Sequence, residues 1–170
     1  ILTLGGTILG TSRQPFKLMG TPDEKGQDKV KLMMDTYKKL KLDALVVLGG
    51  NGTHKTANLL SEKGLNVVTL PKTIDNDLAL TDHTPGYGSA AKYIGTSLKE
   101  IIRDSFCLEY PKGLVTIVEI MGRNAGWLTG SAALSKCEDC DGPDLIYLPE
   151  VTFDLQDFKE KVKKLLYLLF

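Results

Sequence analysis

With 170 residues, the chain has room for one well-buried domain or for a large piece of a bigger one. Its 21 acidic and 21 basic residues cancel to a formal net charge of zero, which excludes a nucleic-acid binder working by bulk positive charge but leaves small-anion binding open. Apolar (42%) and charged (25%) fractions are ordinary for a globular protein, excluding disordered and fibrous classes, and no stretch nears the ~20 apolar residues of a membrane-spanning helix.

In chain order, residues 1–25 read as loop, punctuated by Gly5-Gly6, Gly10, Pro15, Gly20 and Pro22. Ile1 to Leu9 lacks a basic region, so no signal peptide is expected. Gln27 to Leu42 is predicted as a helix with a charged outer face. Asp43 to Leu48 is a short buried strand closed by Gly49-Gly50, and a helix from Thr53 to Lys63 follows, ended by Gly64. Asn66 to Leu70 is a second strand, stopped by Pro71. Ser89 to Asp104 has helical spacing at Tyr93, Ile94, Leu98, Ile101 and Ile102. Leu114 to Ile120 and Leu145 to Leu148 read as third and fourth strands, with a small-residue helix from Ala125 to Lys136 between them. Asp154 caps a last, amphipathic helix containing Phe158, Val162, Leu165 and Leu166. The apolar end Leu165 to Phe170 predicts either packing on a further surface or a cut edge.

Strands that alternate with helices imply crossover connections and a mostly parallel sheet. Ligands bind such sheets beyond the carboxyl ends of the strands. Gly49 to Thr53, Pro71 to Asp77 and Met121 to Arg123 all occupy that position, which predicts one shared crevice.

Each segment has a chemistry and a blander alternative. Gly49-Gly50-Asn51-Gly52-Thr53 at a strand-to-helix turn lets the backbone approach a phosphate, with Thr53 capping the helix or touching a phosphate oxygen; paired glycines also occur in such turns for steric reasons alone. Pro71-Lys72-Thr73-Ile74-Asp75-Asn76-Asp77 concentrates two carboxylates, a hydroxyl, an amide and an ammonium directly after a strand. One carboxylate suits a base that takes a proton from an alcohol, and the other a magnesium ligand against phosphate oxygens; the alternative is a solvated Asp-rich turn. Arg123, after Met121-Gly122, offers a planar fork to a phosphate, and Arg13 is a second anion contact. His54 and His83 have no nucleophile motif nearby and read as structural. Cys107, Cys137 and Cys140 read as reduced thiols, since the Cys137–Cys140 pair has no second pair to complete a zinc site.

Together these segments resemble the 6-phosphofructokinase family from about Gly5 to Phe153. Gly5 to Arg13 is similar to the family's Gly-Gly-Thr-x-Leu-Gly-Ser-x-Arg segment, and Thr73-Ile-Asp-Asn-Asp77 carries its signature intact. Thr84 to Ala90, Glu119 to Arg123 and Pro149-Glu-Val151 match as well. The resemblance implies a three-layer Rossmann-like α/β domain with a mostly parallel sheet, as part of a phosphofructokinase fold. It implies ATP-driven phosphorylation of the 1-hydroxyl of fructose 6-phosphate in glycolysis, with Mg2+ as cofactor, in a cytoplasmic homo-oligomer (dimer or tetramer). By position, Asp75 becomes the general base, with Thr73, Lys72 and Arg13 also catalytic. Thr73, Ile74, Asp75, Met121, Gly122 and Arg123 contact the sugar phosphate. Arg13, Gln14, Gly50, Asn51, Gly52 and Thr53 line the donor site, and Asn51 and Asp77 attend the metal.

Departures from the family pattern are informative. Asn51 replaces a usual Asp, removing one negative charge from the metal site. Gly52 matches ATP-using members, whereas Lys72 matches the pyrophosphate-using type and some ATP-using relatives. Leu114 stands where the family has an arginine lent to a neighbouring subunit. The family's N-terminal Gly-rich segment and second sugar-phosphate domain are not visible, so residues 1–170 read as an incomplete core that turns over poorly alone. The competing readings are a pyrophosphate-dependent phosphotransferase and a non-catalytic regulatory subunit. A Rossmann-type dehydrogenase is remote, because Gly49 to Gly52 lacks the Gly-x-Gly-x-x-Gly spacing.

Overall fold

Residues 3–11, 14–107 and 113–167 are described in the computed structural model, which divides into two units, Ile1–Pro71 and Lys72–Phe170. Arg13 and the apolar end beyond Tyr167 lie outside the described residues.

In the first unit, a single 3-10 turn at Phe16–Leu18 precedes helix α1, Lys29–Lys39. Asp28 starts α1 by accepting hydrogen bonds on Oδ1 from Val30 N (2.9 Å) and Lys31 N (3.1 Å), satisfying two otherwise free amides. Strand β1 (Leu45–Gly49), helix α2 (Asn51–Glu62) and strand β2 (Val67–Pro71) follow as one βαβ unit. The strands pair in parallel, with Leu45 opposite Val67 and Gly49 opposite Pro71. Ala57 and Leu60 of α2 are buried with Leu65 and Met19. On the other side of the sheet, the paired residues Val46 and Val68, and Leu48 and Leu70, are exposed.

In the second unit, helix α3 (Tyr87–Phe106) dominates. Its buried stripe is Ala91, Gly95 and Leu98, at spacings of four and three; Tyr93 and Ile101, expected on that face, are exposed. Gly95 admits the neighbouring segment closely, since a Cβ there would lie 3.3 Å from Leu134 Cβ. The small-residue helix expected over Ala125 to Lys136 is split into α4 (Trp127–Gly130) and a 3-10 segment, Ser131–Ser135. Ser131 Oγ and Ser135 Oγ each donate to the carbonyl three residues back, at 2.6 and 2.7 Å, a local competition that favours the tighter turn. Helix α5, Leu155–Tyr167, is capped by Asp154, whose Oδ1 accepts from Gln156 N and Asp157 N at 2.7 and 3.0 Å.

Two expected strands are absent. Among the described residues, β1 and β2 form the whole sheet. Residues 113–120 have no regular structure, and Leu114, Val115, Ile117 and Val118 are exposed. Residues 145–148 form no ladder either; Tyr147 instead packs edge-on against Phe153 and Phe158, with ring centroids 5.2 and 5.8 Å away. An apolar β-branched run meets the side-chain requirement of a strand, but the ladder also needs a neighbouring backbone.

Candidate functional site

The chemistry-bearing segments are best described unit by unit. In the first, β1 ends at Gly49, packed so tightly that a Cβ would lie 2.6 Å from Thr53 Cβ. Gly50 is extended (φ −93°, ψ −161°) and takes the cap position without a side-chain hydrogen bond. Helix α2 therefore begins at Asn51, two residues before the expected start, and Thr53 sits inside the helix instead of capping it. The first amides of α2 are left free of side-chain partners, which suits an anion. Asn51 and Gly52 are exposed, and the space around a Cβ on Gly52 is open to 4 Å. His54 is structural, with Nε2 3.1 Å from Gly49 O. One turn along, an open hollow of about 540 Å³ is lined by Phe16, His54, Lys55, Asn58, Val67 and Thr69, among others. Gln14 lies apart from it, lining a shallower depression with Asp23, Lys29 and Met33. Gly49 and Pro71 share one rung, so the Gly50 turn and the exit from β2 lie at the same, carboxyl end of the sheet.

In the second unit, Thr73 to Asp77 is an ordered, knotted turn rather than a solvated one. Thr73 and Gly86 form an isolated parallel bridge, and Thr73 N donates to Pro85 O at 3.1 Å. Buried Thr84 donates from Oγ1 to Thr73 O (2.7 Å) and from its backbone N to Asn76 Oδ1 (2.9 Å). Asn76, also buried, donates from Nδ2 to Asp82 O (3.1 Å) and has a left-handed backbone, φ 53°, a conformation Asn tolerates better than most residues. Around this frame Asp75 is half-buried. Its amide donates to Thr73 Oγ1 at 3.2 Å, but carboxylate Oδ1 is buried with no hydrogen-bond partner. A desolvated carboxylate oxygen without a donor is costly. Asp77 and Lys72 are exposed and Ile74 is partly so. Of the pair Asp75 and Asp77, only the first is drawn into the fold.

Also in the second unit, Met121 and Arg123 are exposed on a tight turn in which Gly122 has φ 132°. A Cβ on Gly122 would lie 2.5 Å from Ala125 O, so glycine is required there. The turn runs into α4, and Trp127 meets Tyr87, the first residue of α3: Tyr87 Oη donates to Trp127 O at 3.4 Å and the rings are edge-on at 6.4 Å. The bridge from Thr73 to Gly86 and this contact tie both segments to the start of α3. His83, next to Tyr87 (ring centroids 6.0 Å), belongs to the same loop. Sequence reasoning had matched Thr84 to Ala90 by resemblance without giving Thr84, Gly86 or Tyr87 a task.

Cys137 and Cys140 are reduced and exchange backbone hydrogen bonds across a tight turn. Asp139 between them pairs with Lys99 (3.0 Å) and Arg103 of α3. Among the described residues, no group of three or more His, Cys, Asp or Glu side chains gathers to hold a metal, and no helix is long and apolar enough to cross a membrane.

The phosphofructokinase family model matches residues 1–167. The chain belongs to the phosphofructokinase family. It is 49% identical over 160 residues to an ATP-dependent 6-phosphofructokinase of Spirochaeta thermophila, covering 91% of this chain and 41% of that one. It is 39% identical over 166 residues to a pyrophosphate–fructose 6-phosphate 1-phosphotransferase of Dictyoglomus thermophilum, covering 97% and 43%. Its fold is similar to the crystal structure of a pyrophosphate-dependent phosphofructokinase from Marinobacter aquaeolei, with a TM-score of 0.70, 28% identity, and coverage of 94% of this chain and 39% of that one. The chain thus spans about two fifths of the length of these relatives. The phosphofructokinase likeness agrees with an α/β, Rossmann-like architecture built on parallel strands.

Proposed function

We propose that the chain is the phosphoryl-transfer core of a cytoplasmic 6-phosphofructokinase, acting on fructose 6-phosphate with ATP as donor. The observation that carries this reading is the unpartnered, buried carboxylate oxygen of Asp75 on a turn held rigid by Asn76 and Thr84. A base must accept a proton from the 1-hydroxyl of the sugar, and a carboxylate oxygen with no hydrogen-bond partner in its own turn has its lone pairs free for that. Thr73, Ile74 and the Met121 to Arg123 turn would hold the sugar phosphate, with Arg123 supplying a planar fork of donors. The free amides of Asn51, Gly52 and Thr53 would hold the donor's phosphates; the resemblance adds Arg13 and Gln14 for the donor and Lys72 for the charge on the transferring group.

Mg2+ fits the residues present. Asp77 is an exposed carboxylate with its oxygens available, and Mg2+ is usually held by one or two carboxylates together with phosphate oxygens and water. Asn51 offers a neutral amide oxygen in place of a second charge. When bound, the ion would neutralise charge on the donor's phosphates.

ATP is favoured as donor by the open space beside Gly52 and by the 49% identity to an ATP-dependent relative. Pyrophosphate is the second reading, favoured by Lys72 and by the 39% identity to a pyrophosphate-using relative. The test measures fructose 1,6-bisphosphate formed with each donor, and fructose 6-phosphate binding, in the wild type and in Asp75→Ser. Loss of most turnover with binding retained is expected of the variant. Turnover with pyrophosphate only would overturn the choice of donor. All are measured on the intact enzyme that contains this chain, where binding of sugar phosphate without transfer in the wild type would favour the regulatory subunit.

A further inference from the structure

The turn carrying Met121, Gly122 and Arg123 is fixed at its far end by a carboxylate 24 residues downstream. Gly126 N donates to Glu150 Oε1 at 2.6 Å, a short bond of the charge-assisted kind. Gly126 is buried at the head of α4, so without Glu150 its N–H would be left without a partner away from water. The fit is sterically closed as well as polar. A Cβ on Gly126 would stand 2.6 Å from Oε2 of the same carboxylate and 3.1 Å from Leu148 Cβ. At the other end of the turn, Gly122 is just as confined, by Ala125 O. Residues 122–126 are therefore held between a positive-φ glycine and a carboxylate latch, and the next residue, Trp127, is the one that meets Tyr87.

We propose that Glu150 is a positioning residue for acceptor binding: by latching the Gly126 amide it sets where Met121, Gly122 and Arg123 stand, and so how well the sugar phosphate is held. This rests on the assignment of Met121 to Arg123 to the sugar phosphate. Glu150 does not touch the acceptor. Its removal frees the end of the turn, and a displacement of about 1 Å in a binding group can cost on the order of a hundredfold. Gly126→Ala attacks the same contact from the opposite side, because the added Cβ collides with the carboxylate. Glu150→Gln keeps a carbonyl acceptor at the right reach.

The experiment measures fructose 6-phosphate and ATP affinities by calorimetry, and the amide of residue 126 by NMR, for the intact enzyme that contains this chain and for its variants Glu150→Ala, Glu150→Gln, Gly126→Ala and Arg123→Ala. In both Glu150→Ala and Gly126→Ala the amide signal of residue 126 should move out of its downfield position. They should weaken fructose 6-phosphate binding about tenfold to a hundredfold, with ATP affinity unchanged. Glu150→Gln should recover most of the acceptor affinity. Wild-type acceptor affinity in Glu150→Ala despite the moved amide signal overturns the proposal, and so does equal weakening of both ligands, which marks a general loss of structure. If Arg123→Ala in the intact enzyme leaves fructose 6-phosphate affinity unchanged, the sugar-phosphate assignment itself falls, and this is seen independently of Glu150.

Discussion

Asn76 does at one position what a short stretch of secondary structure does elsewhere. Its side chain accepts from Thr84 N and donates to Asp82 O, and its backbone takes a positive φ. Asn76→Ala leaves the buried Thr84 amide without its acceptor and puts a Cβ residue without a local hydrogen bond in the left-handed region. A loss of about 1–3 kcal/mol is expected in chemical denaturation. Asn76→Gly relieves the backbone but not the hydrogen bonds, so it should fall between the two. Both variants should lower turnover through Asp75 without touching it. The residue types of the candidate site were legible in the sequence, because a Thr-Ile-Asp-Asn-Asp cluster after a strand is chemically dense wherever it lies. That Asp75 would be drawn in while Asp77 stayed in water was not legible, since both are carboxylates two positions apart. The difference comes from Thr84 and Asn76 closing the turn around one of them. The Glu150 latch was equally invisible, because a bond across 24 residues leaves no mark in a periodicity.

At the scale of elements, helix α5 offers a clean pH test. Hydrogen bonds from the Asp157 amide, and then from Gln156, hold the Asp154 carboxyl below its ordinary 3.8. The folded value is lower than the unfolded one, so the cap stabilises above about 3.8 and is lost as pH falls through the folded value. Far-UV circular dichroism should find an acid-induced loss of helicity that Asp154→Ala has already suffered at neutral pH. Helix α3 makes a different demand. Gly95→Val forces a branched side chain against Leu134, whose Cβ a single added carbon would already approach to 3.3 Å. The melting temperature should fall by several degrees, reflecting about 1–3 kcal/mol of overpacking. Helices α1, α2, α3 and α5 were readable to within a few residues because caps and periodic apolar residues are local signals, whereas the serines that split the segment from Ala125 to Lys136 act through backbone competition that periodicity does not show. Residues 114–120 and 145–148 misled because a ladder partner is not written in the strand itself.

For the molecule as a whole, zero net charge combines with exposed apolar side chains at Val46, Leu48, Val68, Leu70 and Ile117. Little self-repulsion opposes association at the isoelectric point. Solubility should therefore pass through a minimum near pH 6.9 and recover on either side, as light scattering across a pH series will reveal. Of the expected alternation, the β1–α2–β2 unit was legible, because its crossover needs a helix long enough to span it; the third and fourth strands are not formed among the described residues.

The shared rung of Gly49 and Pro71 ties the end of β2 to the level of the glycine turn that opens α2. Removing one residue between Val67 and Leu70 would do more than shorten a strand. It would drag the exit of β2 back by roughly 3.3 Å relative to the glycine turn and swap inward for outward at each remaining position. Point changes within β2 that keep its length should be tolerated, whereas an indel of a single codon there should abolish the protein.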